Sequence, residues 1–181
     1  MTRPGRLLVA LHVVLLSAAL VAACGTVPPA AVGPVLPTFD AVAAVAAIRA
    51  AATADAHELD VQPLRDPQVE DLREQAAGLE SRRLFSAAAD VLDGALVINP
   101  GDPALLQERA EIALLLHRLP EAERHARRAF AAGSGVGPLC RRHWETIAQV
   151  RASLATPVDV QGAADARRQR DACTVAAPNR F

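Results

Sequence analysis

The chain has 181 residues, 19 Lys+Arg against 20 Asp+Glu, a net charge of −1, and 51% hydrophobic but only 3% aromatic residues. That length suits one domain with a real core once an N-terminal leader is set aside, and the near-neutral balance gives no argument for nucleic acid. All basic residues are arginines, which with the excess of alanine reads as codon bias; acids concentrate before residue 117 and arginines after it, which reads as two differently solvated faces.

The first element is a leader. Arg3 and Arg6 precede an apolar run from Leu7 to Leu20, followed by the small residues Ala22 and Ala23 and then Cys24. The run is too short to span a bilayer and has the order of a secretory signal, residues 1–23. With cysteine at the cleavage point, Leu20-Val21-Ala22-Ala23-Cys24 resembles the lipobox of bacterial lipoproteins. The resemblance implies that Cys24 is diacylated, becomes the new N-terminus and holds the protein to the membrane. Gly25 follows rather than aspartate, so no inner-membrane retention signal is present, and the implied address is the outer membrane facing the periplasm where the cell has one.

Residues 24–38 carry Pro28, Pro29, Pro34 and Pro37, which block helix and strand alike and predict a tether. Residues 39–66 come next. Val42, Val45, Ile48 and Ala52 follow helical spacing, with Thr38 or Asp40 as cap, before Pro63 and Pro67 break the helix into a connector.

Residues 67–177 repeat themselves. Val69–Asp102 laid on Pro103–Val136 gives a period of 34 with matching types: Leu72 on Leu106, Ala76 on Ala110, Phe85 on Leu119, Ala88 on Ala122 and Ala95 on Ala129. Small residues at the eighth and twentieth positions let two antiparallel helices approach closely, and larger apolar residues fill the gaps. Asn99-Pro100-Gly101 ends one helix, Asp102-Pro103 caps the next, and Pro120 opens another. The pattern resembles the tetratricopeptide repeat (TPR). It implies an all-α fold of antiparallel helix pairs stacked as a short right-handed solenoid, with repeats at about 69–102 and 103–136 and a partial one at 138–173. The seventh position is polar in both full repeats, Gln75 and Arg109, and a place at the rim is expected for them.

The partial repeat has Trp144-x2-Ile147-Ala148 after extra residues in the loop Gly133–Pro138, and Thr156-Pro157 is expected to start its second helix. That helix carries Arg167, Arg168 and Arg170, a polar face suited to capping a solenoid. If Cys24 is lipidated, Cys140 and Cys173 remain as an even pair at neighbouring ends of the last two helices, where a disulfide is reasonable. A zinc site using Cys140, His143 and Cys173 is the alternative and lacks an obvious fourth ligand.

No catalytic, cofactor or metal constellation stands out. His57, His117, His125 and His143 are scattered. Glu70 with Glu74, and Glu108 with Glu111, lie one turn apart and read as wet helical faces. Gly133–Gly137 leads from helix to helix without the strand or lysine of a P-loop. The TPR resemblance instead implies a concave protein-binding surface on the first helix of each repeat, here Glu70, Arg73, Glu74, Gln107, Glu108 and Glu111. The carboxylate-clamp specificity does not carry over, since Arg73 and Ala77 stand where lysine and asparagine are needed. The expected role is a lipid-anchored envelope adaptor, not an enzyme, that binds another envelope protein or peptide, with no small-molecule substrate. The alternative is a cell-wall enzyme, or its accessory subunit, with an unrecognised site.

Overall fold

The computed structural model describes residues 39–53, 66–153 and 159–174, all within the compact unit 39–181. Seven α-helices and no strand occur among the described residues: α1 (Ala41–Ala51), α2 (Pro67–Ser81), α3 (Phe85–Ile98), α4 (Pro103–Leu115), α5 (Leu119–Ala132), α6 (Gly137–Ser153) and α7 (Val160–Ala172). Cys24, the leader, the tether, His57 and most of the connector lie outside the described residues.

Aspartate starts four of these helices by accepting hydrogen bonds from first-turn amides that have no intrahelical partner. Asp40 accepts from Ala43 N–H at 3.0 Å, Asp66 from Gln68 at 2.8 Å, Asp102 from Ala104 and Leu105 at 2.8 and 3.1 Å, and Asp159 from Gly162 at 2.8 Å. The expected start at Thr156-Pro157 lies outside the described residues, and α7 is capped at Asp159.

The two full repeats turn in the same way. Arg83 and His117, 34 residues apart, both adopt left-handed backbone, with φ of 60° and 58°. At each turn the chain closes a Schellman pair: Leu84 N–H to Leu79 O at 2.9 Å with Arg83 N–H to Glu80 O at 2.8 Å, and Arg118 N–H to Ala113 O with His117 N–H to Leu114 O, both at 2.8 Å. Neither position is a glycine, so both turns carry a steric cost.

The helices pack as α2/α3, α4/α5 and α6/α7, and each pair packs on the next. This is an all-α, TPR-like stack of antiparallel pairs. Ala88, Ala95, Ala110, Ala122 and Ala129 are completely buried, so the small positions of the repeat are the places of closest helix approach. Trp144 meets Phe130 edge to face at 5.0 Å between ring centroids, joining α6 to α5.

In the last pair, Cys140 and Cys173 are joined by a disulfide, with Cα atoms 5.8 Å apart. Gly137 N–H donates to Cys173 O at 2.8 Å beside it, from a φ of +84° that only glycine adopts without strain. Arg167 and Arg168 are exposed on α7, while Arg170 is half-buried against Glu145 and Asp171.

Helix α4 departs from the sequence reading. Ten of its thirteen residues are buried, including Gln107, Arg109 and Glu111. Arg109 does not sit at a rim. It is 4% exposed and ion-paired to Asp93 at 2.8 Å and to Glu121, so a charged side chain fills a core position because two carboxylates meet it there. Glu111 likewise is not on a wet face; its surroundings are described next.

Candidate functional site

The first helices of the three pairs, α2, α4 and α6, line one cleft, and α1 packs beside it against α4 and α6. The buried residues of α1 are Ala41, Ala44, Val45 and Ile48, one stripe at helical spacing. Only Val45 and Ile48 are large, worth roughly 1.5–3 kcal/mol each on burial. Ordering a helix of this length costs on the order of 1 kcal/mol per residue, so the apolar stripe alone holds α1 weakly.

Polar contacts supply the rest. Arg49 Nε donates to Glu111 at 2.8 Å and its Nη2 to Glu80 at 2.9 Å. Burial works against the Arg49 cation, but Glu80 and Glu111 together outweigh it and hold its pKa above the ordinary arginine value. At the other end of the contact, Arg141 on α6 donates to the carbonyls of Ala51 at 2.9 Å and Thr53 at 3.4 Å, where α1 runs out of intrahelical donors.

Beneath α1 lies a polar network made by α4 and α6. Glu111 is 0% exposed and also accepts from Gln107 Nε2 at 2.8 Å and Arg142 Nε at 3.0 Å. Gln107 Nε2 donates to Thr146 Oγ1 at 2.9 Å, and Thr146 donates to Arg142 O at 2.9 Å. His143 Nδ1 lies 2.8 Å from Gln107 Oε1, which assigns the ring proton to Nδ1 because an amide oxygen can only accept. Burial, with the nearby Arg142 charge, pushes the His143 pKa down to about 3. Its Nε2 is buried without a partner among the described residues.

Of the groove residues expected from sequence, then, Gln107 and Glu111 lie under α1. The other four line an open cleft beside it. Glu70, Arg73, Glu74 and Glu108 share this cleft with Arg49, Glu80 and Arg142, over a floor of Ala76, Leu92 and Ile112. Arg73 bridges two helices, donating to Glu70 on α2 at 2.8 Å and to Glu108 on α4 at 3.0 Å. The Glu108 hydrogen bond, opposed by burial and aided by Glu70, raises the Arg73 pKa. Glu74 is exposed and has no ion pair among the described residues. Ala77, in the same cleft, is exposed too.

The helix itself was legible in the sequence but its docking was not, and Val42 of the expected stripe is exposed while Ala41 and Ala44 are buried; one signal for the docking was available. The apolar stripe of α1 precedes the array and must be covered by something, and the nearest uncovered surface is the first-helix side of the array. Among the described residues no cluster of three or more His, Cys, Asp or Glu is placed to hold a metal. His117, His125 and His143 lie on different elements; His125, on α5, has its pKa pushed down to about 4 by burial and by Arg109.

Fold and cleft define a class: an all-α, TPR-like array of helix pairs with a polar cleft beside a helix packed on the second and third pairs. A solved structure, the globular C-terminal domain of P. aeruginosa LpoP, matches with a TM-score of 0.55 at 30% identity, covering 60% of this chain and 99% of that one. At that identity over essentially the whole of the LpoP domain, the chain belongs to the LpoP C-terminal-domain family. No protein-family model and no curated protein matches it.

Proposed function

We propose that the protein is a lipid-anchored adaptor of the cell envelope, non-enzymatic itself, that binds another envelope protein as the accessory subunit of a cell-wall enzyme. The observation that carries this reading is the likeness to the LpoP domain, which spans 99% of that chain. The leader ending in Cys24 supports attachment by lipid, and Gly25 after it supports the outer membrane, facing the periplasm. The open cleft supports a neutral or basic partner segment, because Glu74 has no ion pair in it among the described residues. The adaptor and the accessory subunit of a cell-wall enzyme, two readings at the level of sequence, thus become one.

The test is crosslinking in the native cell. A photo-reactive residue at Ala77 should capture an envelope protein identifiable by mass spectrometry, and charge reversal at Glu74 and Glu108 should abolish capture. Capture unchanged by both reversals would remove the cleft from the proposal. Loss of membrane attachment in Cys24→Ala checks the anchor.

A further inference from the structure

The polar contacts of the inner groove are made within and between α4 and α6 themselves. Glu111 meets Gln107 and Arg142, and Gln107 meets Thr146 and His143, all contributed by α4 and α6. What α1 brings is separable: an apolar stripe, one cation reaching Glu80 and Glu111, and carbonyls at its last turn that accept from Arg141. Each has a counterpart on the array, so the inner groove is complementary to a short amphipathic helix, and α1 is the example of such a helix that this chain carries. Its apolar stripe is thin, and residues 52–66 separate α1 from α2 along the sequence.

We propose that α1 is a built-in competitor for the groove. The groove's ligand is a helical segment of the partner with the chemistry of α1: small or β-branched apolar residues on one stripe, an arginine or lysine immediately after the last of them, and a free C-terminal turn to meet Arg141. That segment enters by displacing α1. The inference rests on this face being the partner surface, and it adds what the partner presents there and what keeps the inner half closed in its absence. A tethered competitor acts at an effective concentration in the millimolar range for a short connection. The affinity for an outside helix is reduced by the fraction of molecules whose groove is open, so releasing α1 raises it.

The experiment uses the full chain in detergent and a fluorescein-labelled peptide with the sequence of residues 39–53, followed by fluorescence anisotropy. Wild type should bind the peptide weakly. Ile48→Asp, which places a charge in the apolar stripe, and separately Arg49→Glu, which sets a carboxylate against Glu80 and Glu111, should each bind it at least tenfold more tightly. A peptide with glutamate in place of its arginine should lose that binding. Arg49→Glu alters a half-exposed side chain, so it keeps the test valid if Ile48→Asp fails to fold by circular dichroism. The proposal is overturned if no folded variant gains on wild type, or if both peptides bind alike. It is overturned as well if wild type sediments as a dimer that Arg49→Glu dissociates, because the occupant is then a second copy of α1. Crosslinking at Ala77 reads the function proposal separately: partner capture without any gain in peptide binding would sink this inference and leave that one standing.

Discussion

The outer and inner halves of one face differ more than their sequences do. The outer half, Glu70, Arg73, Glu74 and Glu108, lines a cleft open to water, where Arg73 pairs with Glu70 and Glu108 and Glu74 has no ion pair among the described residues. The inner half, Gln107, Glu111, His143 and Thr146, is closed between α4 and α6, with Arg49 of α1 reaching Glu111, and all four are 1% exposed or less. Glu108 and Glu111 sit one turn apart on the same helix and fall on opposite sides of this boundary. The lesson is that residue type did not decide burial here; the neighbour did. Glu111 is tolerated inside because Arg49, Arg142 and Gln107 all donate to it.

One of the two large expected effects breaks that comparison at its centre. Glu111→Ala leaves two arginines facing each other across a vacated site and Gln107 without one of its acceptors. Breaking a buried ion pair costs 3–5 kcal/mol, and the low end, about 3 kcal/mol, is expected because the Arg49 side chain is 46% exposed and can turn to water. Glu74→Ala on the open half should change stability by no more than about 0.5 kcal/mol. Urea denaturation of the two variants beside wild type measures both; equal losses would erase the distinction between the halves.

A similar effect is expected from the C-terminal support of the roofed half. Helix α6 supplies Arg141, Arg142, His143 and Thr146, and it is tied to the end of α7 by the disulfide, with a sequence separation of 33. In the chain-entropy model a loop of that length is worth about 3–4 kcal/mol. Cys140→Ala with Cys173→Ala should lower the denaturation midpoint accordingly, and reductant should do the same to wild type but nothing to the double variant.

The sequence made the repeat legible and the roof illegible, for physical reasons. A 34-residue echo of alanines survives because close helix approach admits nothing larger, so Ala76, Ala88, Ala110 and Ala122 announce their packing directly. The cap Asp102-Pro103 is equally local. A Cys140–Cys173 disulfide was a reasonable expectation because both cysteines lie at helix ends of the partial third unit, and the structure has it. By contrast, α1 is mostly alanine, whose side chain is compatible with core and surface alike, and nothing local says where its stripe goes. The burial of Glu111 depends on Arg49, which lies 62 residues away, and that of Arg109 on Asp93 and Glu121 in two other helices. Such pairs have no periodicity to read. Of the six groove residues expected from sequence, Glu70, Arg73, Glu74 and Glu108 line the cleft, while Gln107 and Glu111 are buried.

The pH response separates the halves at a smaller scale. His143, in the roofed half, has its pKa lowered from 6.5 to about 3, and His125, outside the groove, to about 4. The native state refuses a proton that the unfolded state accepts below about pH 6.5, so the stabilising contribution is complete above that pH. It is lost as the pH falls from 6.5 towards the native values, at up to about 1.4 kcal/mol per unit for each histidine. Between pH 7 and pH 5 wild type should lose about 2 kcal/mol through His143. The readout is a slope: His143→Gln should flatten the fall in stability over that interval by this share, and an unchanged slope would mean that His143 meets water.

The smallest effect compares the two turns. Arg83 and His117 hold the same left-handed backbone 34 residues apart. A non-glycine residue there costs roughly 1–2 kcal/mol, and glycine relieves it while giving back about 0.5–1 kcal/mol through the greater freedom of the unfolded chain. Arg83→Gly should therefore gain a few tenths of a kcal/mol to about 1 kcal/mol. His117 has a second role, because its ring meets Phe39 edge to face at 5.8 Å, next to the start of α1. A ring pair of this kind contributes about 0.5–1.5 kcal/mol. His117→Gly should thus be neutral or destabilising although its backbone is the same. The contrast belongs to α1 and not to the turn, so adding Arg49→Glu to release α1 should bring the two glycine variants together. Thermal melts of the four proteins measure this directly; a His117→Gly variant as stable as Arg83→Gly with α1 in place would mean that Phe39 contributes nothing to holding the roof.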